Sequence, residues 1–550
     1  MPERMVDLAG IDGLDDAAVT IYANGTVFTG NRRRPWAEAC AVRGSTVLRV
    51  GPTSEVRRDH PRAIEHDLDG GTLLPGLIDA HNHFLSTGES LGSLDLRYPG
   101  VDSAGALLQA IRDAAEITSA GDPITGFGFD NAKYGLPALD ELDGASGNHP
   151  LHLFHTSGHN VLVNTVVFAD AGVEEAASDP PGGRFVRDRD GRLTGLCLDA
   201  ACGLVLPTAV DIGSHGPNFH TQAPMEALVA AVDRASRAYV EAGLTCVADA
   251  QVTARELAAY REARARGVLG VRTICMPLSH QLDAYRSVGL VGPFGDGELS
   301  IGHLKIYADG SLTGGTAAFS QELHVQGQDA SFFHEPGELV ELIERAWSSG
   351  WRIAVHAQGD RAISSVLDGF EKGRASGSHA DPRPRIEHCG YPGMLGIQRM
   401  RAVGAIAVNQ PSYLHDYGDD YAASLGDAVH DLQPWRDELD AGVRVVISSD
   451  SDVASYRPFT TIANAMLRRT RDGIPIGPRH RLTLEEALFA HTIDAAYAIG
   501  ADHRIGSLEP SKDADLTIVE GDIRSVDAAS VAELPILSTV VRGETRFAAE

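Results

Sequence analysis

The chain has 550 residues, 43% of them hydrophobic and 22% charged, with a formal net charge of −28. This is ordinary globular composition, long enough for two to four units of ~150 residues and for a large core. So acidic a surface repels nucleic acid and anionic lipid, which removes both as expected partners.

Residues 1–16 read as a loose end. They lack the basic start and apolar core of a signal peptide, and no run of ~18 uninterrupted apolar residues occurs anywhere, so no membrane span is expected and the cytoplasm is the expected location. From Val19 to about Gly70 short strands alternate with turn signals: Val19 to Tyr22, Val27 to Thr29, Ala39 to Val42 and Thr46 to Val50, with Asn24-Gly25 as a hairpin-type turn. The C-terminus has the same texture, with strands at Leu516 to Val519 and Ser538 to Arg542. Neither end is large enough for a core. The two are therefore expected to pair into one β-sandwich, 17–72 with 503–550.

Between them lies an α/β alternation. The run from Leu73 to Ala80 reads as a buried strand ending in His81-Asn82-His83. Seven further apolar strands follow, at Thr245 to Asp249, Val271 to Cys275, His303 to Tyr307, Arg352 to His356, Arg385 to His388, Ala405 to Asn409 and Val443 to Ser448. Helical patterns such as Glu338 to Ser349 and Arg361 to Lys372 separate most of them. Eight strands with intervening helices predict a (β/α)8 TIM barrel over 73–502. The gap after the first strand is too long for one crossover, so an insertion subdomain over about 95–240 is expected at the barrel mouth.

The chemistry gathers at strand ends. Residues i and i+2 of a strand share a face, so His81 and His83 can aim two imidazoles at one point, and imidazole is the commonest neutral ligand for zinc and its neighbours. Lys305 lies in the fourth strand; His356, His388 and Asp450 end the fifth, sixth and eighth. In a barrel, the C-terminal strand ends form the active face. Each residue has an ordinary alternative: His356 and His388 as satisfied core histidines, Asp450 as a helix N-cap, Lys305 as a snorkelling or ion-paired lysine. Packing alone hardly gathers four histidines, a carboxylate and one of only four lysines among 47 basic residues. One or two divalent metal ions held there, zinc foremost, would bind hydroxide at neutral pH and polarise a carbonyl. Asp450 would take the proton of the attacking water and pass it to the leaving group. Lys305 cannot ligate a metal as an ammonium; it can after its amine reacts with carbon dioxide to form a carbamate, whose two oxygens could bridge two ions. His159 in the insertion, and Tyr413 and His415 after the seventh strand, are candidates for substrate contact, because loops carry specificity. The six cysteines form no Cys-x-x-Cys pair and sit mostly in apolar runs, which predicts buried reduced thiols.

The motif from Pro75 to His83 and the order of ligands resemble the amidohydrolase superfamily. Lys305 to Ser311, Val355 to Asp360, Arg385 to His388 and Gly158-His159-Asn160 are similar to its YtcJ-like branch, which includes N-substituted formamide deformylases. The resemblance spans about 19–545. It implies a metal-dependent hydrolase with a distorted barrel, a sandwich built from both termini, and ions held by His81, His83, Lys305, His356, His388 and Asp450. The implied reaction is cleavage of a C–N bond in an amide, formamide, carbamate or cyclic amide. No particular substrate is implied. One departure stands out: members often follow Ser-Asp with a small residue and proline, whereas Asp450 here precedes Ser451, Asp452, Val453, Ala454, Ser455, Tyr456, Arg457 and Pro458. Asp452, Tyr456 and Arg457 are expected to reshape the pocket wall. A metal-dependent decarboxylase or isomerase on the same site stays open. A catalytically inactive binding protein is the other alternative, and the filled ligand positions speak against it. The expected partner is a small-molecule substrate, with a homodimer left open.

Overall fold

A computed structural model describes residues 19–549 except 324, 328–329 and 378–380; the loose end read over 1–16 lies outside the described residues. Two sheets are built from the chain termini. One has the order Thr46–Gly51, Ala39–Arg43, Val19–Ala23, Ile64–Asp67. The other joins both ends of the chain, in the order Glu544–Ala548, Ile536–Val541, Leu516–Val519, Thr72–Pro75, Thr26–Phe28, Trp36–Ala37. Leu516–Val519 runs antiparallel to Thr72–Pro75, with Leu516 opposite Pro75 and Val519 opposite Thr72. Cys40, Val42 and Val47 of the first sheet pack with Val27, Leu73, Leu516 and Val540 of the second. Two segments that could not bury a face alone thus share one core.

The run from Leu73 to Ala80, which reads as one strand, is two. Thr72–Pro75 belongs to the terminal sheet, whereas Leu77–Asn82 (β1) pairs in parallel with Leu244–Val252 (β2). Gly76 is the crossing point. Its N–H donates to the Asp515 carbonyl at 2.7 Å, and a Cβ there would lie 2.2 Å from Thr245 Oγ1. Both halves are buried on both faces, so apolarity runs through the break unmarked.

The remaining parallel strands are Arg272–Pro277 (β3), Leu299–Ile301 (β4), Leu304–Tyr307 (β5), Ile353–Ala357 (β6), Arg385–His388 (β7), Ile406–Asn409 (β8) and Arg444–Ile447 (β9). They form two sheets with orders β4-β3-β2-β1 and β5-β6-β7-β8-β9, and Phe294–Gly295 adds an antiparallel edge to β4. The sheets approach each other at both ends. Leu278, just past β3, bridges Lys305 of β5. After β9, Ser449 N donates to Asp79 Oδ1 at 3.0 Å and Asp450 N to the His81 carbonyl at 3.0 Å. β4 is a difference from the sequence reading. Three residues are too short for a periodic signal, yet they take the place beside β3 and leave Lys305's strand joined to β3 by a single bridge.

Helices α1 (Phe84–Ser90), α2 (Met225–Glu241), α3 (Ala254–Ala265), α4 (Pro336–Ser348), α5 (Asp360–Ala375) and α6 (Pro411–Asp416) follow or precede these strands. α2 buries Leu228, Val232, Ala235 and Tyr239, spacings of four, three and four that make one stripe of a helix. A buried Leu or Val of this kind contributes roughly 1.5–3 kcal/mol. α3 opens with a capping box between Thr253 and Glu256. The segment between β1 and β2 carries its own six-stranded sheet, including Ile124–Phe129, Leu151–His155, Asn160–Val163 and Leu193–Asp199, with separate apolar clusters on its faces. All six cysteines are buried free thiols. No helix among the described residues is long and apolar enough to cross a membrane.

Candidate metal centre

His81 is the penultimate residue of β1 and His83 caps the N-terminus of α1. Asp450 follows β9, which the His81 carbonyl draws alongside. As a result His83 Nε2 lies 3.1 Å and His81 Nε2 3.3 Å from Asp450 Oδ1. One ligand atom from each of the three falls within 4.8 Å of the others. Behind His81, its Nδ1 donates to Glu387. Glu387 in turn accepts from Arg385 Nε at 2.7 Å and Nη2 at 2.8 Å, and Arg385 Nη2 donates to the Ala80 carbonyl at 2.8 Å. Burial by itself would raise the Glu387 pKa, but Arg385 and His81 hold it well below the usual carboxylate range. An ionised carboxylate only accepts, so Nδ1 carries a hydrogen, and in the neutral form of the ring Nε2 is the nitrogen with the lone pair.

The same logic fixes the next two rings. His388, at the end of β7, donates from Nδ1 to Gln410 Oε1 at 2.8 Å, and Gln410 Nε2 is anchored on Ser448 Oγ at 3.0 Å. His356, on β6, donates from Nε2 to the Gly310 carbonyl at 3.0 Å. The two rings stand 4.4 Å apart, centroid to centroid. Burial pulls both pKa values down, that of His388 to about 3 and that of His356 well below the ordinary value. Neutral rings with one nitrogen already donating are what a metal ligand requires. Asp450 is held from its other side by the Tyr413 hydroxyl, which donates to Oδ2. Burial works to raise its pKa, and His81, His83 and His388 hold it well below the ordinary range.

Lys305 on β5 is fully buried. Its Nζ lies 4.5 Å from the centroid of the Tyr307 ring and has no hydrogen-bond partner. Burial lowers its pKa to about 8. His81 Nε2 and Asp450 Oδ1 are likewise buried without a hydrogen-bond partner. Groups stranded in this way cost about 1–3 kcal/mol each. Open imidazole lone pairs beside a carboxylate oxygen are the donor set of a divalent ion such as zinc, so the residues fit a metal.

His159 lines a cavity of about 70 Å³ together with His83, His356, His388 and Asp450. Its Nδ1 is 2.8 Å from Asp199 Oδ1. This cavity shares Ser86, Glu89, Gly158, Phe219, Asp452 and Val453 with a larger one of about 340 Å³. Asp452 therefore stands in the wall between the two. Tyr456 packs on Tyr239 and faces a third cavity, and Arg457 is an exposed cap of the helix Pro458–Leu467.

His415 is not brought to the site. Its Nδ1 bonds Asp416 Oδ1 at 2.9 Å, and it lines neither of the two joined cavities. In the sequence Tyr413 and His415 are both candidates because the segment after a barrel strand carries specificity. These two residues lie on α6, where positions i and i+2 diverge. Sequence reasoning passed over Glu387, Gln410, Asp249 and His220. The alternation Arg385-Ile386-Glu387-His388 held one usable signal, an Arg–Glu pair at strand spacing in an otherwise apolar element. Asp249 of β2 lines the small cavity and accepts from the Tyr260 hydroxyl.

The model of the amidohydrolase family matches residues 65–547. The chain belongs to the amidohydrolase family and is a hydrolase acting on carbon–nitrogen bonds other than peptide bonds. Protein LONG AFTER FAR-RED 3 of Arabidopsis thaliana is 30% identical over 96% of this chain and 91% of its own. N-substituted formamide deformylase of Arthrobacter pascens is 30% identical over 95% of this chain and 97% of its own. The fold is shared with the crystal structure of an uncharacterized metal-dependent hydrolase from Pyrococcus horikoshii OT3, with a TM-score of 0.74 and 23% identity over 93% of this chain and 99% of that one.

Proposed function

We propose that this enzyme hydrolyses the C–N bond of a small amide, in the class of formamides, N-acyl amines, carbamates and cyclic amides. Its metal ligands are His81, His83, His356, His388 and Asp450, joined by Lys305 as a carbamate, and zinc is the ion that so imidazole-rich a set favours. The observation that carries the reading is the trio of buried, unpartnered atoms, His81 Nε2, Asp450 Oδ1 and Lys305 Nζ. They lie in a chain whose 30% identical relative is an N-substituted formamide deformylase. We read the two parallel sheets as halves of one distorted (β/α)8 barrel over 73–502. The terminal sheets, whose strands lie between Val19 and Pro75 and between Leu516 and Ala548, form a β-sandwich beside it. The Leu278–Lys305 bridge and the Asp450–His81 backbone bond support that closure.

A divalent cation bound there supplies Lewis acidity, lowering the pKa of water and polarising a carbonyl. The chain's residues supply position and protons. Asp450 accepts the proton of the attacking water while Tyr413 fixes the carboxylate's orientation. It then delivers that proton to the nitrogen, because an unprotonated amide anion is a very poor leaving group. Glu387 holds the His81 ring in place, and the amides and carbonyls behind His388 and His356 do the same for theirs. Lys305 reacts with carbon dioxide only as the free amine. A pKa of about 8 leaves roughly a tenth of it in that form at pH 7.

The test is amine release from a panel of N-substituted formamides, N-acyl amines, carbamates and cyclic amides, with metal content measured on protein purified without chelator. Release that requires bound metal is expected. No release from any member, or full activity after complete removal of metal, rejects the reading.

A further inference from the structure

His220 comes from the last loop of the insertion, next to the bridge between Thr208 and Thr221. It is buried and lines the small cavity with His83, Asp249 and Asp450. Its Nδ1 is 3.0 Å from Glu256 Oε1. Glu256 is surrounded by donors: Oε2 accepts from Thr253 N at 2.8 Å and Thr253 Oγ1 at 2.6 Å, and Oε1 also accepts from Arg255 Nη1 at 2.9 Å. Burial alone would raise the Glu256 pKa, but His220, Arg255 and Thr253 hold it well below the usual carboxylate range. An ionised carboxylate has no hydrogen to give, so the one shared with His220 belongs to Nδ1. In the neutral form of the ring, Nε2 is then the nitrogen that carries the lone pair, and this atom is buried with no hydrogen-bond partner.

We propose that His220 Nε2 accepts a hydrogen bond from the N–H of the scissile amide, and so makes the enzyme selective for secondary and primary amides over tertiary amides and esters. This rests on the amide-hydrolase reading of the same cavity. A carbonyl oxygen, an ester oxygen and a tertiary amide nitrogen have no hydrogen to offer a lone pair. The N–H is the donor that secondary and primary amide substrates have in common. A site that keeps a buried acceptor for an N–H rejects the analogue without one far more strongly than an apolar pocket rejects a change of size. The bond also turns the nitrogen, so that its own lone pair is free to take the proton from Asp450. Glu256 is the positioning residue: it fixes which ring nitrogen carries the hydrogen. The carboxylate that caps α3 thereby also sets the polarity of the cavity.

The experiment compares kcat/KM for an N-alkyl formamide, the matching N,N-dialkyl formamide and the matching alkyl formate ester, in the metal-loaded wild-type enzyme and in His220→Ala. The wild type is expected to prefer the secondary formamide over both others by about 10²-fold or more. In His220→Ala, kcat/KM for the secondary formamide is expected to fall at least about 10-fold while the other two stay within about twofold, so the preference collapses. A purely structural role would lower all three alike and overturn the inference, as would an unchanged preference or a wild type that shows none. If His220→Ala does not fold or loses its metal, the same ratio is read from His220→Gln, whose amide can present a donor instead; an unaltered ratio there overturns the inference equally. A wild type that releases amine from no amide fails the broader reading, and the inference falls with it. Turnover with unaltered selectivity removes the inference alone.

Discussion

Glu387 and Glu438 are both completely buried, yet at neutral pH the first is ionised and the second keeps its proton. Glu387, inside β7, has two hydrogen bonds from Arg385 and one from His81, and stays ionised despite its burial. Glu438, on the helix Trp435–Asp440, receives the Cys389 thiol at 3.6 Å, a weak donor. Arg468 nearby gives its hydrogen bonds to the carbonyls of Leu432 and Gln433. Burial therefore prevails there and pushes the Glu438 pKa up to about 8. Burial does not decide the charge of a carboxylate; the strength and number of its donors do. The ionised glutamate stands where a histidine needs an acceptor behind it, and the protonated one faces the weakly donating Cys389 thiol.

The largest effect should come from breaking the ionised side. Glu387→Gln leaves Arg385 buried without its counter-charge and leaves one accepting oxygen where Arg385 and His81 now share two. A loss of about 3–5 kcal/mol in unfolding free energy and a fall in metal affinity of about 10–100-fold are expected, from urea titration and metal-binding measurements. Wild-type values for both would mean that the partners of Glu387 do not matter as argued. Next comes Asp450→Asn, expected to lower turnover by ~10²-fold or more, read beside metal content. Near-normal turnover with full metal would pass the proton role to another group, Asp452 being the first to examine; joint loss of turnover and metal would make Asp450 chiefly a ligand.

Glu438 sharpens the contrast through pH. Its pKa in the folded protein, about 8, lies above its ordinary 4.5. Across that window the folded state keeps a proton that the unfolded state gives up, so this group's contribution to stability falls as pH rises and levels off above about 8. Glu438→Gln should remove that slope, narrowing the stability loss between pH 5 and pH 8 by on the order of 1–3 kcal/mol, as read from urea midpoints. A wild-type slope in the variant would show that Glu438 is ionised after all. The smallest effect is expected at His415, paired with Asp416 away from the joined cavities. His415→Ala should leave kcat and KM within about twofold, whereas His159→Ala, in the cavity wall, should change at least one of them. Equal results for the two would remove His159 from the site.

What the sequence determined by itself follows from local periodicity. The parallel strands that carry Lys305, His356, His388 and Asp450 are apolar runs punctuated by turns, and a residue at the end of such a run is at the end of a strand whatever surrounds it. The two-residue step from His81 to His83 is likewise local, whereas the approach of both rings to Asp450 waits for the segment after β9 to reach β1. Motif likeness added the family. The break at Gly76 stayed hidden because an apolar run buried on both faces looks the same whether it serves one sheet or two, and only Thr245 crowding against it demands a glycine. The three residues of β4 were too few to show a period. His415 and Tyr413 were both candidates because the segment after a barrel strand carries specificity, but that segment is a helix, and only Tyr413 bonds Asp450. His220 and Glu256 are 36 residues apart, on a loop and in a helix cap. Their pairing, like that of Glu387 with His81 across 306 residues, exists only once the tertiary structure closes. Hydrogen-bond partners chosen by three-dimensional proximity leave no spacing in the chain, so which nitrogen of each buried histidine is free to act was decided by the fold alone.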